Sequence, residues 1–285
     1  MKGLLVFGLN GQLARELRGL APEAIFLGRQ HADLSRPERC AKVIGTIAPS
    51  VIVNAAAYTA VDRAETERDL AWKINAEAPA EMARAAKALG IPFLHVSTDY
   101  VFDGSSLTAW SEDDPTRALG QYGASKLAGE QAIADTGGRW AVLRTSWVFS
   151  AHGSNFVKTM LRLGAEREIL SIVADQSGGP TPARDIAQAL LHMASRMLTA
   201  ETTRGIYHFA GTPDVSWADF AREIFSHAGL TCEVRDIATA DYPTPARRPL
   251  NSRLNCRKIE RDFGISRPDW RVGLQDVLRQ LKETA

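Results

Sequence analysis

Cysteine is scarce in this chain, and the few cysteines present form no recognisable motif. Of 285 residues only three are cysteine, namely Cys40, Cys232 and Cys256, an odd number at wide spacing with no C-x-x-C pair. This pattern excludes a disulfide framework and indicates no zinc site. The six histidines are equally scattered, with no pair at the spacing of metal ligands on a helix. We therefore expect no bound metal and a reducing, cytoplasmic location.

The sequence also lacks an excess of charge of one sign and any long apolar run. Lysine and arginine number 34 against 33 acidic residues, for a formal net charge of +1. A general nucleic-acid or membrane-surface binder would carry a basic excess, so we expect neither partner. The apolar run Leu4–Phe7 is too short for a signal peptide, and no stretch is long enough to span a bilayer. The composition, 45% hydrophobic and 24% charged, is typical of a soluble enzyme-like domain.

What the first half does contain is an alternation of short apolar runs and helical patterns. Runs of apolar strands separated by helices predict a parallel sheet covered on both faces, which is a doubly wound, Rossmann-like α/β fold. The predicted strands are Leu4–Phe7, Ala24–Leu27, Val51–Val53, Phe93–Ser97 and Ala141–Arg144. The predicted helices are Gln12–Leu20, Pro37–Ala48, Ala71–Leu89 and Ala124–Asp135.

The second half is less regular and predicts a smaller second lobe. Ile169–Ala174 and Ile206–Phe209 have strand patterns, and the Ala/Leu-rich run Ala183–Leu198 has a helical one. From Pro213 onward, through the proline-rich Tyr242–Pro249, the pattern changes. We predict a dinucleotide-binding domain in residues 1–150 with returning segments at about 170–212, and a mainly substrate-binding lobe in 213–285. The boundary stays open because the chain can cross between lobes more than once.

A glycine-rich turn joins the first strand to the first helix. Glycines at positions 8 and 11 let the backbone turn tightly and approach a pyrophosphate, and free N–H groups at the helix start attract its oxygens. An ordinary glycine-rich turn is the alternative, but the place at the first strand–helix junction favours a dinucleotide site. The residues predicted to bind the cofactor here are Gly8, Asn10, Gly11, Gln12 and Leu13.

The end of the second strand bears on which dinucleotide is bound. An NAD site usually places an acid about 20 residues on, to hold the ribose 2′-hydroxyl. Here the chain reads Gly28-Arg29, and a guanidinium can pair with the 2′-phosphate of NADP, although a solvated arginine is the alternative. We therefore predict NADPH as cofactor, with NADH also accepted, and Asp33 and Leu34 beside the adenine.

Tyr122 and Lys126 lie four residues apart, so a helix places both side chains on one face. A free tyrosine titrates near pH ~10, and a neighbouring ammonium stabilises the phenolate and lowers that pKa. The lysine can also bond ribose hydroxyls. Most Tyr-x-x-x-Lys pairs are surface contacts, but Thr98 follows the strand Phe93–Ser97, and ligands bind at the carboxyl ends of parallel strands. We therefore predict that Tyr122, Lys126 and Thr98 are catalytic.

These residues together resemble the short-chain dehydrogenase/reductase superfamily, in its extended sugar-nucleotide branch. Further strings narrow the resemblance to the dTDP-4-dehydrorhamnose reductase family. The similarity runs through most of the chain, and only the region from about Ala200 to Asp241 lacks a signature. The strings are Asn54–Asp62, Ser97–Gly104, Tyr122–Lys126, Arg144–Phe149, Asp175–Thr181 and Arg248–Ser252.

The resemblance implies roles for individual residues. It implies that Tyr122 donates a proton with Lys126 as its partner, and that Thr98 bonds the reacting oxygen. It implies NAD(P)H-dependent reduction of the C4 keto group of dTDP-4-dehydro-6-deoxy-L-mannose, which gives dTDP-L-rhamnose. The nicotinamide half of the cofactor would be lined by Ala57, Tyr58, Thr59 and Val96. The residues that would contact the substrate are Asp99, Tyr100, Trp147 and Arg248, with Arg247 and Arg248 near its diphosphate. The alternative for Tyr100 and Trp147 is burial in the core, and for the two arginines it is solvation at the surface.

One departure from the family pattern concerns assembly. Some members form a dimer bridged by Mg²⁺ through acids on the first helix and on the helix after the Gly-Pro-Thr string. Glu16 fits the first position, but Arg184 stands where the second acid is expected. An arginine can pair directly with Glu16, so we expect no metal bridge, and either a monomer or a homodimer.

Three other functions remain open at this stage. A sugar-nucleotide dehydratase usually has Asp-Glu after the threonine, whereas this chain has Asp99-Tyr100 and lacks the second acid. An epimerase or reductase acting on another nucleotide ketosugar is less strongly excluded. A non-catalytic regulatory subunit could lose Tyr122 or Lys126, but this chain keeps both.

Overall fold

The computed structural model describes residues 2–199 and 204–283 and contains a six-stranded sheet with helices on both faces. The strands are β1 Leu4–Phe7, β2 Ile25–Leu27, β3 Val51–Asn54, β4 Phe93–Thr98, β5 Trp140–Thr145, β6 Val148–Phe149, β7 Ile169–Val173, β8 Ser177–Gly178, β9 Thr181–Pro182, β10 Gly205–His208, β11 Val215–Ser216, β12 Glu233–Ile237 and β13 Asn251–Ser252. The helices are α1 Gln12–Leu20, α2 Pro37–Ile47, α3 Val61–Ala64, α4 Arg68–Trp72, α5 Ala78–Ala88, α6 Gln121–Asp135, α7 Phe156–Glu166, α8 Ala183–Thr199, α9 Trp217–Ala228, α10 Arg257–Phe263 and α11 Trp270–Glu283.

The main sheet has the order β10-β5-β4-β3-β1-β2, with every neighbouring pair parallel. This confirms the predicted doubly wound, Rossmann-like fold. Strand order changes direction at β1, which has β2 on one side and β3 on the other. A switch of this kind leaves a crevice at the carboxyl ends of the strands, where such sheets bind ligands.

Burial on both faces explains why the central strands are mostly apolar. Every residue of β1 and β3 is buried. On one face, α1 and α8 pack through residues such as Leu17 and Leu190. On the other, α2 and α5 pack through residues such as Ile44 and Met82. A strand covered by helices on both sides has no polar face, which is the pattern that the sequence carries.

The single helix predicted for Ala71–Leu89 is instead interrupted. The chain forms α4, then a π-helical turn over Lys73–Glu77, and then α5. The turn lies against α6, where a Cβ added to Gly129 would approach the Asn75 carbonyl oxygen to 2.1 Å. A π turn inside a helix is typical of functional sites, because it redirects side chains without ending the helix. Here it directs the buried Asn75 side chain to Tyr58 in the loop after β3 and to Ser125 on α6.

The smaller lobe has its own core, and the chain enters it earlier than the sequence suggested. Ile169–Val173 is a strand, as predicted, but it pairs with β12 in a separate two-stranded sheet. It packs with α7, α9 and α11 around Phe220 and Trp270. Because β7 is only partly covered, with Ile169 44% exposed, it lacks the two-sided burial of a main-sheet strand. The return to the main sheet that was expected at about 170 therefore begins with α8 and ends with β10.

Some features are absent from the described residues. Across 2–199 and 204–283, no helix combines the length and apolar character needed to cross a membrane. The same residues contain no group of three or more His, Cys, Asp or Glu side chains placed to hold a metal ion. All three cysteines are buried and free.

Candidate active site

The predicted catalytic residues meet at the carboxyl end of β4. Thr98, the last residue of that strand, is buried, and Tyr122 lies in the first turn of α6. The Thr98 side chain lies close enough to the Tyr122 hydroxyl to lower the pKa of Tyr122 by hydrogen bonding. The ring of Tyr100 meets that of Tyr122 edge-on, with 5.6 Å between centroids and 74° between planes. A phenol and a threonine hydroxyl therefore share the crevice that the sheet opens.

Gly123 makes this close approach possible. A Cβ at position 123 would lie 2.1 Å from the carbonyl oxygen of Tyr100 and 3.1 Å from the Cβ of Ala118. The absence of a side chain lets the start of α6 lie directly on the 3₁₀ turn Asp99–Val101. The glycine that follows the tyrosine thus brings Tyr122 to Thr98.

The protonation of the Tyr–Lys pair differs from the sequence-based expectation. Burial raises the pKa of Tyr122 to about 12, against the opposing effect of the Thr98 hydrogen bond. Burial likewise lowers the pKa of Lys126 to about 7, with Glu130 acting in the opposite direction. Desolvation disfavours the charged form of each group and outweighs any stabilisation of a phenolate by an ammonium. Without cofactor, Tyr122 is held as a phenol.

Lys126 is only 1% exposed, and its hydrogen bonds lead to β4. Its Nζ lies 2.6 Å from the carbonyl oxygen of Val96 and 2.9 Å from Nε2 of His95. His95 Nδ1 in turn lies 3.0 Å from the Asn54 side-chain nitrogen at the end of β3. The sequence did not single out His95 or Asn54, although Asn54 begins a string used for the resemblance.

The glycine-rich turn has the geometry that a pyrophosphate needs. Gly8 has φ +125°, and a Cβ there would lie 3.2 Å from that of Ala14. Within the described chain, no side chain caps the start of α1 at Gly11, and its first turn holds no acid. The first N–H groups of α1 are therefore free to receive an anion. The Gln12 side chain contacts the start of the second lobe, since its Oε1 accepts hydrogen bonds from Ser150 Oγ at 3.1 Å and Asn155 Nδ2 at 2.9 Å.

The remaining predicted contacts of this turn and of the adenine lie around it. Asn10 is exposed and Leu13 is buried against the sheet. Asp33 accepts a hydrogen bond from Ser35 N at 2.9 Å, and that bond, aided by Arg29 and Arg36, lowers the pKa of Asp33. Leu34 is buried, whereas Arg29 is exposed at the end of β2. An exposed guanidinium is able to pair with a phosphate group.

The loop predicted to line the nicotinamide, Ala57–Thr59, is fixed by Asn75 of the π turn. The Asn75 side chain accepts a hydrogen bond from Tyr58 N at 2.9 Å and donates one to Tyr58 O at 3.0 Å. It also donates to Ser125 Oγ on α6 at 3.0 Å. The sequence reasoning missed Asn75, because an isolated asparagine in a helical pattern gives no local signal.

On the substrate side, Asp99 is buried directly after Thr98. Its Oδ1 accepts a hydrogen bond from Thr98 Oγ1 at 3.1 Å. Burial raises the pKa of Asp99 to about 6, although hydrogen bonds from Ser252 and Thr98 oppose this. An acid with this pKa changes charge close to neutrality.

Trp147 is held in an unusual backbone conformation at the entrance to the second lobe. Its φ is +49°, which a bulky residue rarely adopts. Its ring stacks on Trp217, with 3.6 Å between centroids and 11° between planes. A Cβ at Gly178 would lie 2.7 Å from the Trp147 ring, so this glycine makes room for it. Trp217 belongs to the segment that carried no sequence signature.

Arg248 and Glu16, two charged residues with predicted roles, each have partners within the chain. Arg248 Nη2 lies 2.9 Å from Asp62 Oδ2, so a carboxylate orients this arginine. Arg247 is exposed. Glu16 is 6% exposed and lies 3.9 Å from Arg184 Nη1 and 3.7 Å from His152 Nε2.

Comparisons with known proteins point to one family. A family model described as the RmlD substrate binding domain matches residues 1–283. A dTDP-4-dehydrorhamnose reductase of Sinorhizobium fredii is 47% identical over 94% of this chain and 93% of its own length. The crystal structure of a dTDP-4-dehydrorhamnose reductase from Clostridium acetobutylicum superposes with a TM-score of 0.92 at 34% identity, covering 98% of this chain and 99% of that one. The enzyme of the same name from Bacillus anthracis, in complex with NADP, gives 0.90 at 36% identity, covering 97% and 98%.

Proposed function

Since the chain belongs to the dTDP-4-dehydrorhamnose reductase family, we propose that it reduces the C4 keto group of dTDP-4-dehydro-6-deoxy-L-mannose to dTDP-L-rhamnose. The cofactor is NADPH, and NADH is also accepted. The observation that carries the proposal is that Tyr122, in the first turn of α6, and Thr98, at the carboxyl end of β4, lie close enough for Thr98 to act on the pKa of Tyr122. A proton donor and a second hydroxyl at one point suit the oxygen of a ketone that is being reduced.

The cofactor's place follows from the free end of α1. The pyrophosphate would lie on the N–H groups of Gly11, Gln12 and Leu13, with the adenine near Asp33 and Leu34. The Ala57–Thr59 loop and Val96 would line the nicotinamide half. Arg29 supports NADPH, because its exposed guanidinium can pair with the 2′-phosphate. The bound nicotinamide would supply the hydride.

The chain's own residues handle the proton. As C4 is reduced, negative charge develops on its oxygen, and the Tyr122 phenol gives its proton to that oxygen. Thr98 positions the oxygen by hydrogen bonding, and Lys126 orients the ribose beside it. Tyr100 occupies the place where a dehydratase would need a second acid, and its ring packs on Tyr122. The site therefore supports carbonyl reduction rather than elimination.

We further propose that the second lobe holds the nucleotide sugar over this crevice. The stacked pair Trp147 and Trp217 offers an aromatic surface to a base or a sugar ring. Arg248, oriented by Asp62, would meet the diphosphate. Asp99 and Tyr100 would contact the deoxysugar. The three free thiols are consistent with a cytoplasmic enzyme.

The test is a turnover assay with purified protein, dTDP-4-dehydrorhamnose and either NADPH or NADH, followed by loss of reduced-cofactor absorbance. Replacing Tyr122 with Phe removes the transferred proton but keeps the ring, so kcat should fall by at least ~100-fold. The matched control is Tyr207→Phe, because Tyr207 lies on β10 and packs on Phe263 away from the crevice. Faster turnover with NADPH than with NADH would support the role of Arg29.

Two outcomes would contradict the proposal. Cofactor binding without oxidation of either cofactor would favour another ketosugar or a regulatory subunit. A Tyr122→Phe variant with wild-type activity would show that Tyr122 does not donate the proton and that another group does.

A further inference from the structure

A buried row of hydrogen bonds runs behind the active-site lysine. It joins Asn54 of β3, His95 of β4 and Lys126 of α6, and none of the three is more than 1% exposed. The contacts are 3.0 Å from Asn54 Nδ2 to His95 Nδ1 and 2.9 Å from His95 Nε2 to Lys126 Nζ. We call these three residues the Asn54–His95–Lys126 relay.

The backbone fixes the direction of the relay at its first residue. The N–H of Ala56 donates to the side-chain oxygen of Asn54 at 3.1 Å. An N–H can only donate, so the atom of Asn54 that faces it must be the oxygen, and the amide nitrogen faces His95. The NH₂ group then donates to Nδ1 of His95. A neutral imidazole that accepts at Nδ1 carries its proton on Nε2.

The Nε2 proton of His95 therefore points at Lys126. An ammonium there would set two donors against each other at 2.9 Å in a buried place. An uncharged amine has a lone pair to accept from Nε2–H and still donates to the carbonyl oxygen of Val96 at 2.6 Å. Only the uncharged amine satisfies every bond of the relay.

We propose that His95 is a positioning residue that holds Lys126 as an uncharged amine in the protein without cofactor, and that this amine leaves Tyr122 in its phenol form in that state. An ammonium on the face of α6 that also carries Tyr122 would instead favour the phenolate, which has no proton to give. The consequence for Tyr122 rests on the proposed reduction, whereas the state of Lys126 is a property of the chain alone.

The charged groups around Lys126 agree with this assignment. Glu130, on the same helix, favours the ammonium, but it is paired with Arg144 of β5 at 2.6 Å. Burial is the stronger effect and lowers the pKa of Lys126 to about 7. Burial and Lys126 together lower the pKa of His95 well below its ordinary value, so the imidazole stays neutral. Tyr122 shares a face of α6 with Lys126, and Asp99 raises the pKa of Tyr122. The uncharged Asn75 of the π turn bonds to Ser125, the residue before Lys126.

The first measurement uses wild-type protein without cofactor or substrate. At pH values above the titration of Lys126 at about 7, nitrogen-15 NMR should show His95 protonated on Nε2 and bare on Nδ1, and its signals are assigned by their loss in His95→Gln. The side-chain resonances of Lys126, assigned with Lys126→Arg, should titrate near pH 7 rather than with the surface lysines near ~10. A proton on Nδ1, or a Lys126 that titrates with the surface lysines, would overturn the proposal.

The second measurement changes the partner of the lysine. In His95→Gln the amide can turn its oxygen to Lys126 and accept from an ammonium, so the proton affinity of Lys126 should rise tenfold or more. His227→Gln, on α9 in the second lobe, is the control and should leave it unchanged. A folded His95→Gln protein with the wild-type Lys126 titration contradicts the proposal. If that variant does not fold, the tautomer of His95 in the wild-type protein decides whether the proposal holds. Neither the tautomer nor the titration of Lys126 is measured through turnover.

Discussion

At the residue scale, Asp99 gives the clearest pH dependence. Its pKa is raised from 3.8 to about 6, chiefly by burial. Between those values the folded chain binds more protons than the unfolded chain, so this residue's contribution to stability falls as pH rises. Asp99→Asn keeps an oxygen for the Thr98 hydroxyl and removes the titration. Relative to wild type, its free energy of unfolding should therefore rise between about pH 4 and pH 7, by at most roughly 3 kcal/mol.

Urea unfolding of both proteins across that pH range measures the difference. Asp241→Asn provides the control, because Asp241 is exposed and its replacement should leave the wild-type pH dependence intact. Curves for Asp99→Asn and wild type that stay parallel would show that Asp99 is ionised in the folded protein at its ordinary pKa.

The residues that could be predicted from the sequence are those that belong to a local pattern. Tyr122 and Lys126 share a spacing, and Thr98 ends an apolar run, so their meeting in one crevice was predictable. His95 and Asn75 were not, because their partners lie far along the chain: Lys126 is 31 residues from His95, and Ser125 is 50 from Asn75. A polar residue inside an apolar strand was the one available signal for His95.

At the element scale, the contact between α6 and the 3₁₀ turn depends on Gly123. In Gly123→Ala the new methyl group would lie 2.1 Å from the Tyr100 carbonyl oxygen, so the helix start must move away. A displacement of about 1 Å between Tyr122 and Thr98 should lower kcat on the order of 100-fold. The overpacking itself should cost only about 1–3 kcal/mol of stability, so the protein stays folded.

Turnover and thermal unfolding measured side by side separate these two effects. Gly19→Ala is the control, since an added Cβ at that position of α1 meets nothing within 4 Å. That variant should keep full activity and lose no stability. A Gly123→Ala enzyme with wild-type kcat would show that α6 does not need this approach to position Tyr122.

Element boundaries followed the sequence wherever local pattern decides them. β1, α1 and β4 differ from their predicted bounds by at most one residue. The helix predicted over Ala71–Leu89 was wrong in its middle, because the π turn is set by packing on α6 through Gly129 rather than by periodicity. The pairing of β7 with β12 could not be predicted from the sequence either, since an apolar run does not show which sheet a strand joins.

At the scale of the whole molecule, Glu16 and Arg184 bear on assembly. Glu16 is buried, and Arg184 Nη1 lies 3.9 Å from its carboxylate, so an arginine of the same chain balances its charge. A metal ion is therefore not needed to hold this surface together. We predict that removing divalent cations with EDTA leaves both the sedimentation coefficient and the turnover rate unchanged, whether the protein is a monomer or a homodimer.

In contrast to wild type, an Arg184→Glu variant should depend on a divalent cation for its stability. It places a second carboxylate against Glu16, and two acids at this distance repel unless a cation lies between them. The variant should be destabilised without metal, and added Mg²⁺ should restore its melting temperature, while wild type responds to neither treatment. Arg196→Glu near the end of α8 is the control for the change in charge alone, because it lies on the same helix away from Glu16. Dissociation or inactivation of the wild-type protein by EDTA would contradict this account and would mean that Arg184 does not replace the metal.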